Sequence, residues 1–153
     1  MLTNSYRHKF KRALSDKEKR ELIDHVKASI LNKVKADVYL SWDDLHFTVP
    51  FWVNNWNLFA MVDKGEFRFD SDTTLIYKIY YLKTFIIGLM IALTLAIGTR
   101  EIVVVLVMFT FLITINWLTR RLRHHFFFNE IVSYADSLLE NTTTTSQNSI
   151  TEN

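Results

Sequence analysis

Apolar residues in this chain are concentrated rather than spread, and between residues 79 and 119 the only charged side chains are Lys83, Arg100 and Glu101. That is the signature of membrane, and it constrains everything around it. The run 85–98 alone is too short, because its helical rise of about 21 Å falls below a hydrocarbon core of roughly 30 Å. Starting the helix at Ile79 lengthens it, sets Tyr80 and Tyr81 at headgroup depth and lets Lys83 snorkel to the same surface. The second run, 102–119, carries no charge. Between them Gly98-Thr99-Arg100-Glu101 has the length of a helix–helix turn, with Gly98 as a natural C-cap. The sequence therefore predicts a two-helix transmembrane hairpin, 79–98 and 102–119.

Basic residues flank the open end of that hairpin, at Lys78, Lys83, Arg120, Arg121 and Arg123, against Arg100 alone at the turn. This bias predicts an integral, two-pass protein with both termini cytoplasmic. Lys83, Arg120, Arg121 and Arg123 are the expected contacts to anionic lipid. Gly88, Ala92 and Ala96 recur at every fourth position and form a small-residue stripe for close helix packing, against the second helix, a partner's helix or another copy. Thr94, Thr110 and Thr114 can bond back to their own helix. Asn116 is a polar residue expected to be wetted or bonded to an adjacent helix. No ionisable residue lies deep in either helix, which argues against a proton relay or ion pump.

The rest of the chain comes in charge blocks. Residues 1–36 hold ten Lys/Arg against four Asp/Glu, residues 37–77 two against seven, and residues 126–153 four acids and no Lys or Arg. Residues 1–14 read as a basic arm suited to anionic headgroups. No nucleic-acid motif accompanies it, so nucleic acid is not the expected partner. Ser15-Asp16-Lys17-Glu18 is a capping box, and Leu22, Ile23, Val26, Ile30, Leu31 and Val34 follow at helical spacing, predicting an amphipathic helix to about Lys35. Beyond it the period becomes two. Strands around Val38 and Phe47 flank an Asp43-Asp44 turn, strands 58–62 and 66–70 flank Asp63-Lys64-Gly65, and a last strand over 74–78 leads into the membrane. This is a small antiparallel β-meander, and residues 15–78 form a cytoplasmic α+β module. Phe51, Trp52 and Trp56 stand in an aromatic loop that either closes the core or serves as a partner or interface contact.

After the hairpin, Phe127, Ile131, Tyr134, Ala135 and Leu138 predict a juxtamembrane amphipathic helix over 120–140, and the polar tail 141–153 is expected to be disordered. With no cysteine there is neither a disulfide scaffold nor a thiolate site. Neither a metal-ligand spacing, a phosphate-cradling loop nor a nucleophile–base motif is present, so no cofactor, no metal and no catalytic residue is expected. The reading that follows is a non-enzymatic, membrane-anchored binding or accessory protein presenting its module to a protein partner or membrane complex. The alternative is an oligomerising, membrane-perturbing effector of the toxin or antiviral-defence type, with a cytoplasmic sensing module and assembly through the hairpin.

Overall fold

The computed structural model describes residues 3–50, 53, 57–60, 62–99 and 102–151, with side chains excepted at 84, 85, 96, 99, 102 and from 141 on. The fold is α+β, one antiparallel five-stranded sheet with three helices. Strands β2 (Asp37–Leu40), β3 (Asp44–Thr48), β4 (Lys64–Ser71) and β5 (Thr74–Tyr80) make the predicted meander, and the sheet order is β1-β5-β4-β3-β2.

The first strand was not expected. Residues read as a basic arm form β1 (Thr3–Lys9), paired along β5 from Thr3↔Tyr80 to Lys9↔Thr74. The alternation explains it: Asn4, Tyr6 and His8 share the face of Tyr77 and Leu75, while Ser5, Arg7 and Lys9 take the wet face. Arg7 is held in the sheet by an ion pair with Asp70.

Helix α1 (Asp16–Lys33) starts at the predicted cap, with the Glu18 amide donating to Ser15 Oγ at 3.4 Å and the Ser15 amide to Glu18 Oε2 at 2.8 Å. Its buried face, Leu22, Ile23, Val26 and Ile30, lies in the core with Leu45, Phe47, Phe67, Leu75 and Tyr77 from the sheet.

Two turns fall elsewhere than predicted. Ser41 donates to the Asp44 carbonyl at 2.8 Å, so the β2–β3 turn is Trp42-Asp43, one residue earlier. Gly65 is not in a loop but inside β4, opposite Phe47 and Ile79. A Cβ there would run into the Phe47 ring and come within 3.2 Å of the Lys78 carbonyl oxygen, so glycine is required by a close approach. Residues 58–60 form a turn rather than a strand.

Helix α2 (Leu82–Thr99) follows β5 after one residue, and α3 (Ile102–Thr151) returns beside it, with Gly88 against Phe109 and Ile113. Among the described residues one helix, within Val103–Glu140, is long and apolar enough to cross a membrane, while the apolar stretch of α2, Ile86–Leu95, is shorter than a span. The separate juxtamembrane helix does not exist. α3 contains no glycine or proline to break it, and it continues through 120–140 onto the sheet. Helical backbone also continues to Thr151, where the tail was expected to be disordered, since adding a residue to a formed helix costs far less than nucleating one. Phe127, Phe128, Ile131, Ala135 and Leu139 of α3 are buried in the core.

Replacing Gly65 with alanine should lower stability by about 1–3 kcal/mol through overpacking against Phe47. Thermal unfolding in mild detergent, followed by circular dichroism, measures it; an unchanged Tm would mean that the ring moves aside freely.

Candidate functional site

Polar groups concentrate where the sheet meets the helical hairpin. Asp63 caps α2, accepting from the amides of Leu82 and Lys83, the latter at 3.1 Å, which also sets a carboxylate at the positive end of the helix. Lys83 then turns back and donates from Nζ to the Val49 carbonyl at 2.7 Å. Arg120 donates to the Ala60 carbonyl and, through Nε, to Asn116 Oδ1 at 2.8 Å. Two of the four expected lipid contacts, Lys83 and Arg120, therefore hold the domain to the hairpin. Arg121 and Arg123 are exposed, Arg121 stacking over Trp117 at 5.3 Å.

On the other side of α3, Tyr6 of β1 donates to the Arg121 carbonyl at 2.8 Å. Burial pushes the Tyr6 phenol up to about 12 and that of Tyr77 well above its ordinary value, so both remain donors. His124 is the residue that sequence reasoning missed. Next to Arg123 in the chain, it is fully buried, with Nδ1 3.0 Å from Tyr77 Oη and its ring against Phe59, Tyr77 and Tyr81. The signal was present in the spacing, because His124 lies on the same helical face as Phe127, Phe128 and Ile131. Burial, and then the charge of Arg120, lower its pKa to about 3, although the nearby Leu58 carbonyl favours the protonated ring. Nε2 finds no hydrogen-bond partner among the described residues.

Of the small-residue stripe, Gly88 and Ala92 are taken up inside the chain: a Cβ on Gly88 would lie 3.1 Å from the Phe109 ring and 3.3 Å from Ile113, and Ala92 is buried. The Ala96 side chain lies outside the described residues, as do Phe51, Trp52 and Trp56. The flanking strands end at Thr48 and start at Lys64, both level with Tyr80, the end of the sheet from which α2 departs. Thr94, Thr110 and Thr114 donate to carbonyls one turn back.

At the opposite end, Trp42 is 88% exposed beside a cavity of about 600 Å³ between α1 and the β2–β3 turn. Lys19 there binds Asp72 at 2.8 Å and stands 3.8 Å from Asp16 and 4.0 Å from Asp43. Among the described residues no group of three His, Asp or Glu converges on a metal-sized site.

Compared with known protein families, with curated proteins and with solved structures, the chain matches none.

Because the folded-state pKa of His124 lies below its unfolded value of about 6.5, stability from the neutral ring is complete above that pH and is lost as pH falls toward about 3. His124→Asn, which keeps an acceptor for Tyr77 and cannot take a proton, should be less stable than wild type at pH 7.5 yet lose less stability between pH 6.5 and 5. Parallel slopes for the two proteins in a thermal-shift series would rule this out.

Proposed function

We propose that the chain is a two-pass, membrane-anchored binding or accessory protein whose α+β module stands on the cytoplasmic face and engages a protein partner. One observation carries the reading. Most apolar side chains of α2 and of α3 as far as Leu118 face outward, from Leu89 at 41% exposed to Ile97 at 81%, while the sheet beside them has a closed core. An uncovered apolar surface of that extent belongs in a hydrocarbon medium rather than water. The eighteen residues of α2 rise about 27 Å, near the core thickness of a bilayer when Lys83 is allowed to reach its surface. Basic residues cluster at the open end, so both termini and the sheet are cytoplasmic.

The occupied packing of Gly88 and Ala92 supports an anchor that is complete within one chain, and so favours the accessory reading over assembly through that stripe. The open polar face of the sheet suits contact with a soluble surface: Glu66 there lies 3.4 Å from Lys78 and 3.8 Å from His46.

The natural absence of cysteine makes topology directly measurable. Gly98→Cys, at a position with open space around it, should react with a membrane-impermeant maleimide added outside intact cells. Ala28→Cys, on the exposed side of α1, should react only after permeabilisation. Labelling of both from the same side would reject the two-pass reading.

A further inference from the structure

The sheet has two open edges, β1 and β2, and both are laid out to receive the same thing. Charge separates them. Residues 1–15 contain Arg7, Lys9, Lys11 and Arg12 and no acid, whereas residues 36–63 contain Asp37, Asp43, Asp44 and Asp63 and no Lys or Arg. Direction unites them. Five antiparallel strands are an odd number, so β1 and β2 run the same way, with Thr3 and Asp37 both level with Tyr80 at the membrane end.

The hydrogen-bond phase of each edge follows from the ladders. Ser41 and Asp44 form a bonded pair, and bonded and non-bonded pairs alternate, so Val38 and Leu40 turn their N–H and C=O groups away from β3. Phe10 donates to the Thr73 carbonyl at 2.8 Å, so by the same alternation Ser5, Arg7 and Lys9 turn theirs away from β5. Parallel pairing needs each outward-turned residue to lie level with an inward-turned one, bonding to the residues before and after it. Set side by side at equal membrane depth, β2 of one copy and β1 of the next meet this condition without any shift: Val38 is level with Asn4, Tyr39 with Ser5 and Leu40 with Tyr6. The pleat also agrees, because Leu40 and Tyr6 both face the helices of their own sheets. The same alignment sets Arg7 level with Ser41 and brings Lys9 to the end of the sheet where the Trp42-Asp43 turn lies.

We infer that the free edge of β2 receives β1 of a second copy as a parallel strand, so that copies join edge to edge in the plane of the membrane. The inference rests on the membrane anchoring proposed above, because a shared bilayer forces one orientation on every copy. Strands stand along the span direction, since α3 follows β1 from Tyr6, bonded to Arg121, to Arg12, bonded to the Leu139 carbonyl. Two copies related by an axis normal to the membrane therefore present strands running the same way, and antiparallel edge pairing would invert one anchor. Room suffices: five strands repeat every ~24 Å, against roughly 20 Å for two packed helices. Half-exposed Leu40 and the open cavity beside it leave space for the arriving edge. Such a contact joins unlike surfaces, so it builds rows or rings rather than closed pairs.

Cysteine cross-linking of the full-length chain in its native membrane tests this. Ser5 and Tyr39 are exposed and lie about 19 Å apart within one sheet, four strand spacings, too far for an internal link. The double variant Ser5→Cys/Tyr39→Cys, treated with a short thiol-specific cross-linker, should give a ladder of dimers, trimers and higher species. Co-expressed single variants should give dimers only, and each single variant alone should give monomer. Lys9→Glu should reduce the ladder a few-fold at low salt, and adding Asp43→Lys should restore it. A dimer from Tyr39→Cys alone would mean a two-fold contact and would overturn the inference. So would monomer from a double variant whose thiols react freely with maleimide, or a thiol at position 39 shielded without a ladder, which would mean that another protein covers the edge. Failure of the anchoring itself would register separately, in the maleimide topology of Gly98→Cys and Ala28→Cys.

Discussion

The helix side of the sheet is closed by the same continuous helix whose first eighteen residues, 102–119, carry no charge. His124, Phe127, Phe128, Ile131 and Ala135 occupy one face of α3 and fill the space over Tyr77, Phe67 and Phe59. Each such buried apolar side chain contributes about 1.5–3 kcal/mol, so removing α3 would open the core of a domain already small for independent stability. Anchor and module are consequently not joined by a linker. They share a rigid element without glycine or proline, and the position of the sheet above the hairpin follows from helix geometry.

That sharing explains the polar groups at the junction. A strand entering a helix leaves amides unpaired, and Asp63 supplies the acceptor. Lys83 and Arg120, expected from the sequence to contact lipid, instead donate to the backbone carbonyls of Val49 and Ala60. Hydrogen bonds to charged donors of this kind pin Val49 and Ala60 to the two helices with a direction that an apolar contact could not set. His124 remains neutral at the centre because burial among aromatic rings and the nearby guanidinium of Arg120 both disfavour its proton.

Features set by local chemistry were legible from the sequence: the capping box of α1, the period-two meander, one helix apolar and long enough to cross a membrane, and the amphipathic stripe after it. What escaped were choices made by tertiary contact. β1 hides in a stretch whose lysines and arginines dominate its composition, although Asn4, Tyr6 and His8 alternate with them. Gly65 has the composition of a turn, but the ring of Phe47 across the sheet decides its place. For the lipid-contact and packing residues, sequence identified the positions and left the partner open. Lys83 and Gly88 turn inward because the chain folds back on itself, a fact that no local pattern contains.

A sheet standing on a membrane is also constrained in a way that a free sheet is not. In solution an open strand edge is a hazard, since any other strand can approach it from either direction. When anchors hold all copies in one orientation, direction and depth are set before contact, and only register and charge remain to be chosen. An even number of strands would give edges of opposite direction, which upright copies in one bilayer could pair only as antiparallel strands. Five strands give edges of one direction, and here those edges also carry opposite charge and complementary hydrogen-bond phase. The parallel mode of the proposed association follows from adding β1 to the four-stranded meander, and the basic segment that supplies β1 supplies the matching charge.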